Sequence, residues 1–231
     1  KALLLSHLLG FGKPRRVLLV TENPAGAESL LHWLRFFGQH AEVLHSPRTP
    51  EDTIDGEALQ RFLSLYEPMP HNNGHTGSHI LVVARATAEV TFPSHRGMER
   101  AAISFLQGKE TPFTALVESL LATGYSHGDD AFLQPGEYRR IGDVLEIFPT
   151  QSLHPYRIHF EFDVVTKIEM FDPLEHTKTH APVESLTVLP VTWEEEIMLL
   201  DQLPEDVLLV LDDQDDTTAP DGIEVLELTS F

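Results

Sequence analysis

Between residues 136 and 173 apolar and polar positions alternate with a period of two. Val144, Ile147 and Phe148 fall in one apolar run, Ile158, Phe160 and Phe162 alternate with His159 and Glu161, and Ile168, Met170 and Phe171 follow a break at Asp163. Period-two alternation marks strands with one buried face. Pro149 and Pro155 bracket the connection TQSLH, and Pro173 follows Phe171-Asp172. Proline has no N–H to give a ladder and so tends to mark strand ends. The pattern predicts a β-meander of three antiparallel strands.

The first hundred residues carry a different rhythm. Arg16–Thr21 reads as a buried strand, and Asn23 as the cap of a helix with Pro24 in its first position, LLHWLRFF in its body and Gly38 as its stop. The next strand is expected at 42–45. A helix at 57–66 presents Leu59, Phe62, Leu63 and Tyr66 on one face, and a short strand at 80–84 follows the loop EPMPHNNGHTGSH. Such βαβα alternation argues for a parallel sheet covered by helices. Residues 101–106 add a strand before the linker QGKETP, 112–122 form a helix closed by Gly124, and 125–190 hold a β-rich insert. Strands at 207–211 and 223–228 are expected to return to the first sheet. No internal repeat is visible.

At 231 residues the chain holds one large domain or two small ones, with a core that needs no staples. It has no cysteine, which removes disulfides, thiolate catalysis and zinc ribbons together. No apolar run approaches the ~20 residues of a membrane span, and no charged start leads into an apolar stretch with a cleavage site. The expectation is a cytoplasmic protein without a membrane segment. Lys1 is followed at once by the helical ALLLSHLL, so the chain is expected to begin inside an element of something longer.

Charge is distributed unevenly. Residues 1–112 carry 11 Lys/Arg against 11 Asp/Glu, 113–190 carry 5 against 12, and 191–231 carry none against 13, so the net −20 comes from the C-terminal half. Nucleic-acid binding draws on cations that displace phosphate counterions. This field repels a duplex, and direct DNA binding by the chain is not expected. The acidic tail reads as a solvated end in which only 207–211 and 223–228 look like strands.

Catalytic signatures are missing. GFGKP at 10–14 lacks the spacing and the hydroxyl of a phosphate-binding loop. VLLVLDD at 207–213 imitates the strand-plus-acid that holds Mg²⁺ in nucleotide hydrolases, with Asp212 or Asp213 as ligand, but has no partner loop. No G-x-S-x-G, H-E-x-x-H or G-x-G-x-x-G run occurs. The expectation is therefore no enzyme activity, no catalytic residue and no cofactor. His71, His75 and His79 in HNNGHTGSH share the spacing of metal ligands, but four-residue spacing aligns them only on a helix. Asn72, Asn73, Gly74 and Gly77 argue for a surface loop instead. His176 and His180, in the turn-like LEHTKTHAP, read the same way, and no metal is assigned.

The meander also carries a motif. It runs Gly136-Glu137-Tyr138, then Gly142 through Pro149, then Pro155, Arg157, Ile158 and Phe160, then Phe171-Asp172-Pro173. This resembles the small β-rich second domain shared by the excision-repair protein UvrB and the transcription-repair coupling factor Mfd, the domain that docks on UvrA. TPFTALVESLLATGYSHGDDAFLQPGEY resembles that family's lead-in helix and ESLTVLP its exit strand. VLLVTENPAGAESLLHWLRFFG and LLDQLPEDVLLVLDD resemble, more loosely, the opening strand and helix of the first Mfd domain and its return strand.

The resemblance implies an α/β fold, with a degenerate RecA-like parallel sheet covered by helices and an inserted β-rich domain. Residues 1–111 would form the first part of the α/β domain, 112–190 the UvrA-binding-like domain, and 191–231 an acidic return segment. The implied partner is UvrA. The C-terminal region of a full-length protein is an intramolecular rival for the same surface, and RNA polymerase is an indirect partner.

A recognition surface is the chemistry that remains. Arg139, Arg140 and Arg157 are three of the five cations in 113–190, and arginine forks and aromatic anchors concentrate interface energy. The candidate partner-binding residues are Tyr138, Arg139, Arg140, Arg157, Phe160, Glu161 and Phe162, with Arg157 the leading one. Alternation assigns Phe148 and Phe160 to the core. Two positions depart from the family motif: Ile141 stands where an arginine precedes the glycine, and Glu161 replaces the second residue of an F-F pair.

Overall fold

A strand that has sheet neighbours on both sides and helices on both faces must be apolar at nearly every position. RVLLVT at 16–21 meets that demand, and all six residues are buried. The computed structural model describes residues 1–10, 15–49, 53–67, 78–130, 132–172, 179–212 and 220–228.

In chain order the elements are α1 (Ala2–Gly10), β1 (Arg16–Thr21), α2 (Pro24–Phe36), β2 (His40–Val43), α3 (Gly56–Ser64), β3 (His79–Ala84), α4 (Arg85–Ala88), β4 (Thr91–Pro93), α5 (His95–Ala101), β5 (Ile103–Leu106) and α6 (Phe113–Ala122). Then come β6 (Ser126–His127), β7 (Glu137–Ile141), β8 (Val144–Ile147), β9 (Tyr156–Glu161), β10 (Val164–Phe171), β11 (Thr179–Val183), β12 (Ser185–Val188), β13 (Glu196–Met198), β14 (Val207–Asp212) and β15 (Glu224–Leu228). They divide into two compact units: Lys1–Pro47 with Ala58–Phe92 and Glu196–Phe231, and Arg48–Glu57 with Pro93–Glu195.

The first unit holds a five-stranded sheet in the order β15-β14-β1-β3-β2, parallel in every pairing. Helices α1 and α2 press Leu5, Leu9, Ala27, Leu31 and Leu34 onto Val17, Leu19, Ile80, Val82 and Val210. The alternate residues Leu18, Val20, Leu81, Val83 and Leu209 are equally buried, so both faces are covered. Helix α2 begins as expected: Asn23 Oδ1 accepts from Gly26 N at 2.9 Å, and Pro24 fills the first turn.

The second unit is the β-rich one. Its six-stranded sheet runs β11-β10-β9-β8-β7-β6, antiparallel except where β6 joins β7. Helix α6 lays Leu116 and Leu120 against Leu145, Ile147, Ile158, Val165 and Ile168. A separate ribbon of β5 and β12 adds Phe105, Leu186 and Val188 to that core.

The arrangement is the α/β class expected from the sequence, with a helix-covered parallel sheet and a separate β-rich sheet. Three details differ. Residues 136–173 hold four antiparallel strands rather than three, because Glu137–Ile141 spends one face on charged side chains and so hides its alternation, and β11 extends the sheet beyond them. The break read at Asp163 takes Phe162 with it: Glu161 pairs with Val164, and the two residues between them form the loop. The second parallel strand is His40–Val43 rather than 42–45, since its register starts at His40 opposite His79.

Asn23→Ala removes the cap acceptor and is expected to lower unfolding free energy by about 1 kcal/mol, read as a lower urea midpoint at unchanged m-value.

Candidate functional site

Neighbouring residues on a strand point to opposite faces, and the register turns that rule into an ionic rung. Arg139 pairs across β7–β8 with Glu146, and Glu146 across β8–β9 with Arg157. All three lie on the face opposite Leu145 and Ile147. Arg139 donates to Glu146 Oε2 from Nε at 2.7 Å, with its Nη2 at 2.6 Å, and Arg157 Nε donates to Oε1 at 2.7 Å. The carboxylate is almost wholly buried, at 2% exposure. Arg157 also stands over the buried Phe171 ring, 4.1 Å from guanidinium carbon to centroid, a favourable cation–π placement.

The rung continues. Glu169 on β10 lies opposite Arg157, and its carboxylate is held by Lys167 Nζ at 2.5 Å and His159 Nε2 at 3.0 Å. Burial pushes the Glu169 carboxyl up, but the hydrogen bonds and positive charge of Lys167 and His159 outweigh it and hold the group below the usual carboxylate range.

Arg140 faces the other way. Its guanidinium sits over Phe113 at 3.9 Å, and its Nε donates to the Gly142 carbonyl at 2.8 Å. Phe113 meets Phe160 edge-on at 6.0 Å, and Phe160 packs half-buried against the core. Beyond it the β9–β10 loop puts Phe162 at φ 47° and Asp163 at φ 64°. Phe162 is 94% exposed. Arg140, Asp143, Phe160, Glu161 and Phe162 line one open depression of about 420 Å³.

The seven candidate residues thus divide. Arg139 and Arg157 share Glu146 on one face, Arg140, Phe160, Glu161 and Phe162 gather at the hairpin end, and Tyr138 is buried in the core. Ile141, the first departure from the motif, is exposed at 56%. Glu146 and Glu169 were not singled out as ionic partners by sequence reading. Their spacing from the arginines, 7 and 11 positions for Glu146 and 12 from Arg157 to Glu169, means nothing until strand pairing is known.

Tyr125, in the same unit, has its hydroxyl pushed above the ordinary range by burial while donating to the Leu189 carbonyl at 2.9 Å. It anchors the exit from α6. Asp212, the Mg²⁺-like position, ends β14 and is engaged by Lys1 Nζ at 2.8 Å. Asp213, His71, His75 and His176 lie outside the described residues, as does the side chain of His180. His79 opens β3, and burial lowers its pKa.

Residues 103–193 match the family model described as the UvrB interaction domain. Over 95 residues, 41% of this chain and 14% of that protein, the chain is 34% identical to UvrABC system protein B of Thermus thermophilus. It is 30% identical over 111 residues to the transcription-repair-coupling factor of Escherichia coli, covering 48% of this chain and 10% of that protein. A similar factor from Borreliella burgdorferi aligns over 205 residues at 20% identity, 84% of this chain and 17% of that protein. These matches bear out the resemblance to UvrB and Mfd, and the matched family is an interaction domain rather than a catalytic one. The chain spans less than one fifth of the length of these relatives.

Glu146→Ala leaves two guanidinium groups facing each other. It is expected to cost roughly 2–3 kcal/mol, below the loss for a fully dry pair because both arginines keep about a fifth of their side chains exposed. Urea unfolding at pH 7 reads the loss. Because the folded Glu169 pKa is depressed, its contribution is present above the unfolded carboxyl value of about 4.3 and is lost as pH falls through the folded value. Glu169→Gln is therefore expected to be less stable than the parent at pH 7, with the difference shrinking in unfolding curves taken toward pH 3.

Proposed function

We propose that this chain is a non-catalytic protein-interaction module of an Mfd-like transcription-repair coupling factor, and that it recruits UvrA for transcription-coupled nucleotide excision repair. The match of residues 103–193 to the UvrB interaction domain carries the proposal. Within it, the UvrB-interaction domain centres on 112–190 in the β-rich unit, and the α/β part is the first unit, Lys1–Pro47 with Ala58–Phe92 and Glu196–Phe231. The module works in the cytoplasm. It reaches RNA polymerase only through the rest of the full-length protein, whose C-terminal region competes for the same surface. It binds no DNA itself, in keeping with the net charge of −20. Among the described residues no helix is long and apolar enough to cross a membrane.

The docking surface is the hairpin end of the β-rich sheet together with the Arg139–Arg157 face. Phe162 supplies the aromatic anchor. A two-residue loop with both φ positive wants Asn-Gly or a similar pair, and a phenylalanine there is strained without being packed. Such an outlier is a reason to look for function. Exposed aromatics that become buried in a partner are the usual anchors of interfaces.

One observation favours a second reading, a regulatory scaffold that no longer docks on UvrA. Arg139 and Arg157 are both committed to Glu146, and the two departures, Ile141 and Glu161, remove a cation and add an acid at the hairpin end.

Titration with UvrA from the same source decides between the readings. Recruitment predicts a Kd in the micromolar range or tighter, and at least a tenfold loss with Phe162→Ala and with Arg157→Ala checked for folding by circular dichroism; an intact chain that binds no UvrA leaves the scaffold reading standing. Phe162→Gly is expected to raise stability by about 0.5–1 kcal/mol while lowering affinity. A purely structural Phe162 gives no loss of binding.

A further inference from the structure

The parallel register of the first unit places His40, the first residue of β2, beside His79, the first residue of β3. Their rings lie 5.1 Å apart, centroid to centroid. Glu42 stands two residues along β2 and therefore on the same face, with Oε2 3.4 Å from His79 Nε2. Ala41 and Val43 take the opposite face, packed with the α2 core.

We propose that His40, Glu42 and His79 form a zinc-binding site at the N-terminal edge of the parallel sheet. The geometry is close to what the ion requires. The ligand atoms of the three residues all lie within 4.8 Å of one another. Metal–ligand bonds of about 2.0–2.1 Å in a tetrahedral shell put ligand atoms about 3.3 Å apart. His40 is exposed, so its ring turns to close that gap without disturbing packing. Two imidazoles and a carboxylate are the donor set of open zinc sites, in which water takes the fourth position.

The surroundings set the strength. Arg61 on α3 lies 3.8 Å from Glu42 Oε1 and donates from Nη1 to the Val43 carbonyl at 2.8 Å. This leaves Oε2 as the oxygen directed at His79. The guanidinium charge also opposes a dication, so micromolar rather than nanomolar affinity is expected.

The site's place in the fold defines its role. Open parallel sheets hold nucleotides and substrates beyond the C-terminal ends of their strands, whereas this cluster sits at the opposite edge. Strand β2 ends the sheet order and has only four residues. Zinc there fastens a short edge strand to its neighbour. The inference stands apart from the docking proposal, since it uses no residue of the β-rich unit.

The test is calorimetric titration of the whole chain with zinc chloride alone, with cobalt(II) absorption as an independent readout of nitrogen and oxygen ligands. The result expected is one site saturating with a micromolar Kd, weakened at least tenfold in His40→Ala and Glu42→Ala. A rise in Tm of about 5 °C is expected at a hundredfold excess over Kd. His40→Ala alters an exposed side chain and keeps the fold, so its loss of binding reads the site itself. No saturable binding overturns the proposal. So does zinc bound equally by the parent and by a folded His40→Ala, His79→Ala double variant, because the ion then sits on other histidines.

Discussion

The β-rich unit depends on one buried carboxylate. Glu146 sits in the middle of the meander at 2% exposure, where an unpaired charge costs several kcal/mol. Arginines on both flanking strands compensate it, and the three side chains meet only when β7, β8 and β9 are in their observed register. A slip of one residue turns Glu146 into the apolar core and Leu145 out toward the arginines. The ion pair and the hydrophobic face therefore specify the same alignment.

That alignment determines where the loops end up. The β7–β8 turn at Gly142-Asp143 and the β9–β10 turn at Phe162-Asp163 emerge at the same end of the sheet, and the Asp143 carbonyl accepts from Phe160 N at 2.8 Å. Gly142 takes φ 61°, a value its lack of Cβ permits. Phe162 takes a similar value without that freedom. The sheet thus presents an exposed aromatic at one corner, with Arg140 stacked on Phe113 behind it. Across the opposite face, Glu146 offsets one of the two arginine charges.

The parallel unit rests on a simpler constraint. Strands buried on both faces have apolar side chains at almost every step, so β1, β3 and β14 specify themselves by composition alone. Polar chemistry is left to strand ends. His40, Glu42 and His79 are therefore found at the N-terminal edge, where β2 and β3 enter the sheet.

Sequence alone determined what local physics controls. The buried runs at Arg16–Thr21 and 207–211, the Asn23 cap with Pro24 behind it, and the helix before Gly124 were legible because each is decided by neighbours within a few residues. The motif from Gly136 to Pro173 identified the β-rich unit for the same reason: its order survives in one dimension. Which charges meet was not legible. Arg139, Glu146, Arg157 and Glu169 are separated by 7, 11 and 12 positions, and His40 and His79 by 39, so only strand pairing brings them within bonding distance. Likewise Phe162 continued an apolar alternation on paper, and it was the pairing of Glu161 with Val164 that turned it out into water. Contacts across a sheet are decided by register, and register follows from the burial of the whole face rather than from any single segment.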